Sequence, residues 1–232
     1  MCSNKLKRGS SWNEELGKIG FTLEEARELQ KKLASQVIEE DRFDKIENIC
    51  GLDVSYYKDT AIACAVVLNR KDLQVLEESV VYTEISFPYV PTLLSFRETP
   101  PIIKVAKSLK SDVDLFMVDS NGRLHPFLLG AASHFGILID RPTVGVAKTL
   151  LCGEILPKKD ESRYSLITLN GKVVGAAVNT RIEAKPVFVS VGHKISLETA
   201  VAIVLETSKF RIPEPLRQAD LLSKLSKREL KK

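Results

Sequence analysis

"DLFMVDSNGRLHP" (114–126) decides how the chain is read. Leu115 to Val118 is an unbroken apolar run of strand length, the pattern of a buried strand. It ends in Asp119 and passes through the polar turn Ser120–Asn121–Gly122. It then reaches His125, one of only three histidines, held extended by the proline after it. A buried strand that delivers a carboxylate to a turn with a histidine needs a chemical reason.

Downstream, "LLGAASHFGILI" (128–139) reads as a helix of small and apolar residues, and "TVGVAK" (143–148) as a second buried strand. Strand, helix, strand in this order points to parallel pairing. Upstream, "TLLSFRETPPIIKVAKSLK" (92–110) looks helical, with an interruption at Pro100–Pro101. Before it stand three strand-like runs, 49–57, 61–69 and 73–85, joined by short polar links that favour consecutive antiparallel pairing. "FTLEEARELQKKLASQVIEE" (21–40) is a helix opened by a Thr22/Glu25 capping box. Further on come a hairpin over 165–179 with Asn170–Gly171 as a type I′ turn, a strand over 186–193 and a helix over 196–210. The last stretch, from Pro213, reads as a basic amphipathic helix that frays. The expected organisation is a loose segment 1–20, one α/β domain over 21–222 and a basic tail 223–232.

The chain has 232 residues, 44% hydrophobic and 28% charged, enough for one sizeable core. Its net charge of +4 favours polyanionic partners without requiring them. The four cysteines are scattered with no C-x-x-C pair, which excludes zinc-knuckle and thioredoxin readings; Cys50 and Cys64 read as reduced core residues. There is no secretory h-region and no stretch of membrane-spanning length, so a cytoplasmic protein is expected.

The carboxylates carry the chemistry. Asp53 sits inside the apolar strand "ICGLDVSYY", where an unpaired carboxylate costs several kcal/mol, on the order of the burial penalty of an ion. Asp119 repeats the pattern. Two adjacent central strands would place both at one sheet edge, a geometry that suits a hard divalent cation with oxygen ligands. Taken alone, Asp119 could equally cap its turn. Glu98 shares a helical face with Leu94 and Ile102, although an exposed helix carboxylate is the plainer reading; the same holds for Asp220. Lys148 ends a buried strand, where ligands bind in α/β sheets, or snorkels to solvent. In "FPYVP" (87–91) the prolines clamp Tyr89 in a rigid turn, fit either to wedge into a base stack or to cover the core.

Together these stretches resemble the motifs of the endonuclease V family. "GLDVSYY", "FPYVPTLLSFRE", "VDSNGRLHPFLLGAASHFGI", "PTVGVAKTLL", "SVGHKISLETAV" and "RIPEPLRQAD" occur in that order, over about residues 21–222. The resemblance implies a ribonuclease H-like fold with a mixed five-stranded sheet flanked by helices. It implies a DNA-repair nuclease dependent on Mg²⁺, with Mn²⁺ as a substitute, that recognises deoxyinosine. The cut falls at the second phosphodiester bond on the 3′ side and leaves a 3′-hydroxyl and a 5′-phosphate; inosine in RNA is a further substrate to test. By motif, Asp53, Glu98 and Asp119 match the acidic catalytic residues, His125 and Lys148 the catalytic histidine and lysine, and Asp220 an accessory metal position. Pro88, Tyr89, Val90 and Pro91 match the DNA wedge, and Leu94, Ser120 and Gly122 line the expected base pocket. The chain departs from the family at Ser120 and Thr92, where glycine is usual, and at Phe127, where arginine is usual. A monomer is expected. The alternatives are another nuclease on this fold and a non-catalytic inosine reader; a reader has no need of buried carboxylates.

Overall fold

The computed structural model describes residues 16–158 and 162–231. Of the expected loose segment 1–20, residues 1–15 lie outside the described residues, as does Cys2; Leu16 is fully buried beside Ala26, Phe87, Val90 and Leu93. Helix α1 (Leu23–Ala34) begins at the expected capping box: Glu25 N–H donates to Thr22 Oγ1 at 3.1 Å and Thr22 N–H to Glu25 Oε2 at 2.8 Å.

Strands β1 (Asn48–Tyr57), β2 (Thr60–Asn69) and β3 (Val75–Glu84) form an antiparallel meander. Helix α2 (Leu94–Ser108) then leads to β4 (Leu115–Val118), which pairs parallel with β1, and α3 (Ala131–Ile139) leads to β5 (Thr143–Ala147), parallel to β4. Helix α2 runs on through Pro100 and Pro101, where an interruption was expected. Each proline removes a helical hydrogen bond. Burial of Pro101, Ile102 and Val105 offsets that loss.

The sheet has nine strands where five were expected. The order is β3-β2-β1-β4-β5-β9-β8-β7-β6. The first five are the expected mixed sheet. β9 (Val187–His193) then covers the edge of β5, and β8 (Lys172–Val178), β7 (Tyr164–Leu169) and β6 (Glu154–Ile155) extend it, all antiparallel. The hairpin signal at Asn170–Gly171 is local and correct, with φ of +51° and +75°. Nothing local told which edge the hairpin would join, and an uncovered β5 would have left an open row of backbone donors and acceptors.

Side chains alternate across the sheet. Cys50, Leu52, Phe116 and Val118 pack on one face under α2 and α3. Ile49, Leu115, Met117, Val144 and Val146 pack on the other, with α4 (Leu197–Glu206) and Leu216 of α5 (Glu214–Glu229). Helix α5 does not fray from Pro213. It runs unbroken past 222, where a basic tail was expected to begin, and buries Leu216, Ala219, Ser223 and Ser226. Gly51 makes this close seat possible: a Cβ there would lie 2.0 Å from Pro215 O. Cys50 and Cys64 are buried free thiols, as expected. Among the described residues, no helix is long and apolar enough to cross a membrane.

Candidate active site

The register of β1 against β4 brings the two strand aspartates together. Leu52 pairs with Val118, so Asp53 and Asp119 are the next residue on each strand, and Asp119 N–H donates to Leu52 O at 3.0 Å. Asp53 follows Ile49 and Gly51, and Asp119 follows Leu115 and Met117, so alternation directs both toward the α5 face. From α5, Ser223 donates its hydroxyl to Ser55 Oγ at 2.9 Å and lies near enough to Asp53 to lower its pKa, and Asp220 lies one turn after Leu216. Val118 pairs with Gly145, which places Lys148 just beyond the end of β5 at the same sheet edge.

Lys148 Nζ donates to Asp119 Oδ2 at 2.5 Å and stands 3.7 Å from Asp220 Oδ1. Burial works against its charge, but Asp119, Asp220 and Asp53 outweigh that and leave its pKa raised. Lys224 Nζ holds Asp220 Oδ2 at 2.5 Å. Asp53 is the more constrained carboxylate. Burial raises its pKa, Ser223 lowers it, and the negative charges of Asp119 and Asp220 raise it again.

Glu98 arrives from the opposite face. Ser120, on the α2 side of the sheet, donates its hydroxyl to Glu98 Oε2 at 3.1 Å. Burial pushes the Glu98 carboxyl up to about 8; the Ser120 hydrogen bond opposes the rise, and Asp119 and Asp53 add to it. Glu98 is therefore largely protonated at neutral pH, with its proton held in place by burial and by like charge. Among the described residues, no three acidic, histidine or cysteine side chains are gathered closely enough to hold an ion between them. The donors nevertheless fit a hard cation. They are oxygen atoms only, burial and like charge disfavour the ionised forms of Asp53 and Glu98 that a cation would stabilise, and magnesium-type sites use one or two carboxylates, with waters and a substrate phosphate filling the rest.

His125 is 5% exposed and accepts the Phe127 N–H on Nδ1 at 3.2 Å. Burial, with the Arg27 charge adding to it, lowers its pKa to about 4, so it is neutral at pH 7 with its proton on Nε2. The wedge is divided. Tyr89 is 66% exposed, whereas Val90 and the neighbouring Phe87 are buried, and Phe87 stacks on Phe96 at 5.4 Å. Pro88 and Pro91 flank that exposed tip. Arg97, one residue before Glu98, donates to Phe87 O at 2.7 Å, so one helix steadies both the loop and the carboxylate.

The pocket residues do not all reach the site. Leu94 opens α2 and Ser120 meets Glu98. Gly122, in contrast, is buried: its N–H donates to Ser190 Oγ at 2.9 Å and its carbonyl accepts from Gly130 N–H at 2.9 Å. Both backbone groups are committed internally, and a Cβ would lie 2.1 Å from Val191 O. Glycine is needed there for packing against β9.

Sequence reasoning missed three contributors. Ser223 bonds Ser55, two residues on from Asp53, and lowers the Asp53 pKa; its signal was the small-residue stripe Ala219, Ser223, Ser226, the mark of a closely seated helix face. Arg27 and Gln30, on α1, bind the backbone carbonyl of Thr92, at 3.3 and 2.9 Å. Thr92 has φ of +68°, which explains why glycine suits this position and why threonine needs this clamp. No local signal distinguished Arg27 from any exposed helix residue.

Comparison with known proteins identifies the family. The endonuclease V family model matches residues 31–221. Endonuclease V of Thermofilum pendens is 50% identical over 204 residues, covering 87% of this chain and 87% of that protein. The crystal structure of endonuclease V from Streptomyces avermitilis superposes with a TM-score of 0.85 at 37% identity, covering 91% of this chain and 95% of its own. That of Ciona intestinalis endonuclease V, in complex with a 24mer DNA containing an inosine followed by a ribo-adenosine, gives 0.80 at 33%, covering 90% and 98%. The ordered motifs, the 3-2-1-4-5 sheet at the centre of the fold and this breadth of similarity place the chain in the endonuclease V family of nucleases.

Proposed function

We propose that this nuclease cuts DNA carrying deoxyinosine at the second phosphodiester bond on the 3′ side of the lesion, leaving a 3′-hydroxyl and a 5′-phosphate. The observation that carries the reading is the Leu52–Val118 rung, which sets Asp53 and Asp119 at neighbouring positions with Lys148 2.5 Å from Asp119. Asp53 and Asp119 would hold Mg²⁺, or Mn²⁺ in its place, with Glu98 and Asp220 flanking them. When bound, the cation supplies Lewis acidity at the phosphoryl oxygen and makes water a better nucleophile. Lys148 already sits at the carboxylate edge as the chain's own cation; shifting from Asp119 to a phosphate oxygen, it stabilises charge that develops there. Neutral His125, with Nδ1 occupied, offers its Nε2 proton as a donor and is not a base of ordinary strength. Tyr89 is available to fill the space of an extruded base.

The test uses four end-labelled oligonucleotides with Mg²⁺: one inosine in DNA, the same in RNA, uracil in DNA, and an unmodified control. The expected outcome is a cut one nucleotide beyond deoxyinosine, absent with EDTA and absent from the control. The RNA arm reads the sugar preference. Cutting of all four, or selective binding of inosine without any cut, would overturn the proposal.

A further inference from the structure

We propose that Arg27 is a substrate-binding residue that grips a backbone phosphate between the Tyr89 loop and His125; the inference deepens the function proposed above. Arg27 lies on α1 and is partly buried. A guanidinium removed from water normally pairs with a carboxylate. Among the described residues Arg27 has no such partner. Its guanidinium carbon lies 4.0 Å above the Phe127 ring. One terminal nitrogen donates to Gln30 Oε1 at 2.8 Å and to Thr92 O at 3.3 Å, and the other reaches Thr92 Oγ1. Every acceptor is neutral. Those contacts fix the fork without neutralising it, and they leave Nε–H and one terminal N–H to donate.

Its position gives the free charge a purpose. Arg27 is tied to Thr92, which ends the Tyr89 loop, and its charge is felt at His125. An anion held there would lie between the residue proposed to fill the base gap and the residue proposed to contact the cut phosphate. A planar fork with its partners pre-set on an aromatic face is suited to bidentate binding of a phosphodiester. Gln30, itself fully buried, braces the fork and the loop together.

The experiment measures duplex binding in EDTA across a range of salt concentrations, for wild type, R27Q and R27Q/F127R. It uses a duplex with one deoxyinosine and the same duplex undamaged. One lost phosphate contact lowers the slope of log Kobs against log salt by about 1. The expected result is that R27Q loses that much slope on both duplexes and about tenfold in affinity at low salt. Phe127→Arg should restore both, because its guanidinium would reach the same spot. An unchanged slope in R27Q, or a slope that Phe127→Arg does not restore, overturns the proposal and leaves Arg27 as a clamp of the loop. Should R27Q fail to fold because the loop loses its clamp, it is read in a T92G background, where glycine takes the left-handed backbone without one; a slope lower by about 1 than that of T92G is expected, and an equal slope is contrary. The undamaged duplex keeps this result separate from the inosine reading, which would fail through loss of discrimination between the two duplexes.

Discussion

Glu98 is the residue whose chemistry departs most from its ordinary state. Its carboxyl is raised to about 8 from 4.5, first by burial and then by Asp119 and Asp53. A raised folded-state pKa means the folded protein holds a proton that the unfolded chain has released, so metal-free stability falls as pH rises from about 6.5 to 8. The drop is up to about 2 kcal/mol over that span. Glu98→Gln, which cannot titrate, should flatten it, as urea unfolding in EDTA at several pH values would show; an unchanged slope would place the titration elsewhere. At this scale the sequence was partly legible. Asp53 and Asp119 stood out because a carboxylate in an apolar strand is anomalous by itself. Glu98 and Asp220 did not, since a helix carboxylate is ordinary until its neighbours are known. The resemblance, not the local pattern, singled them out.

At the scale of elements, the β1–β4 pair and the helix α5 laid across it govern the site. Parallel register is set by the two buried runs, and it fixes Asp53 beside Asp119 without any contribution from loops. Helix α5 must then come close enough for Ser223 and Asp220 to reach them, and Gly51 provides the room. Gly51→Ala would push its Cβ into the Pro215 backbone, which cannot yield as a side-chain tip does. Overpacking of this kind costs typically about 1–3 kcal/mol. We expect a loss of stability of that order and a fall in nuclease activity, measured by thermal unfolding and by cleavage of an inosine duplex; full activity with full stability would contradict the seating of α5. The parallel core was readable from the strand–helix–strand alternation. The extension by β9, β8, β7 and β6 was not, because edge pairing depends on partners far apart in sequence. The course of α2 through two prolines was hidden for a related reason: tertiary burial overrode a strong local breaker.

Across the whole molecule, all three histidines are buried. Burial lowers His125 and His134 to about 4 from 6.5. The sign is opposite to that of Glu98: a depressed histidine pKa means the unfolded chain takes up protons first, so the stability present above pH 6.5 is lost as pH falls toward 4. His134 has an unpartnered Nδ1 and packs edge-on against Phe96. Replacing it with Asn removes one such titration. The stability advantage of wild type over His134→Asn should therefore shrink by about 2 kcal/mol between pH 7 and pH 5, as chemical denaturation would reveal. A pH-independent difference would contradict this, because it would mean that His134 titrates alike in the folded and unfolded chain.

The central claim is that Asp53, within β1, and Asp119, just past the end of β4, perform the cut. The most direct measurement compares single-turnover cleavage of a deoxyinosine duplex by wild type and Asp53→Asn, with inosine binding measured in EDTA as the parallel readout. The account predicts a fall in rate of at least a hundredfold, or about 3 kcal/mol in the barrier, with inosine binding retained. Cleavage by Asp53→Asn at the wild-type rate would contradict it and move the chemistry away from this sheet edge.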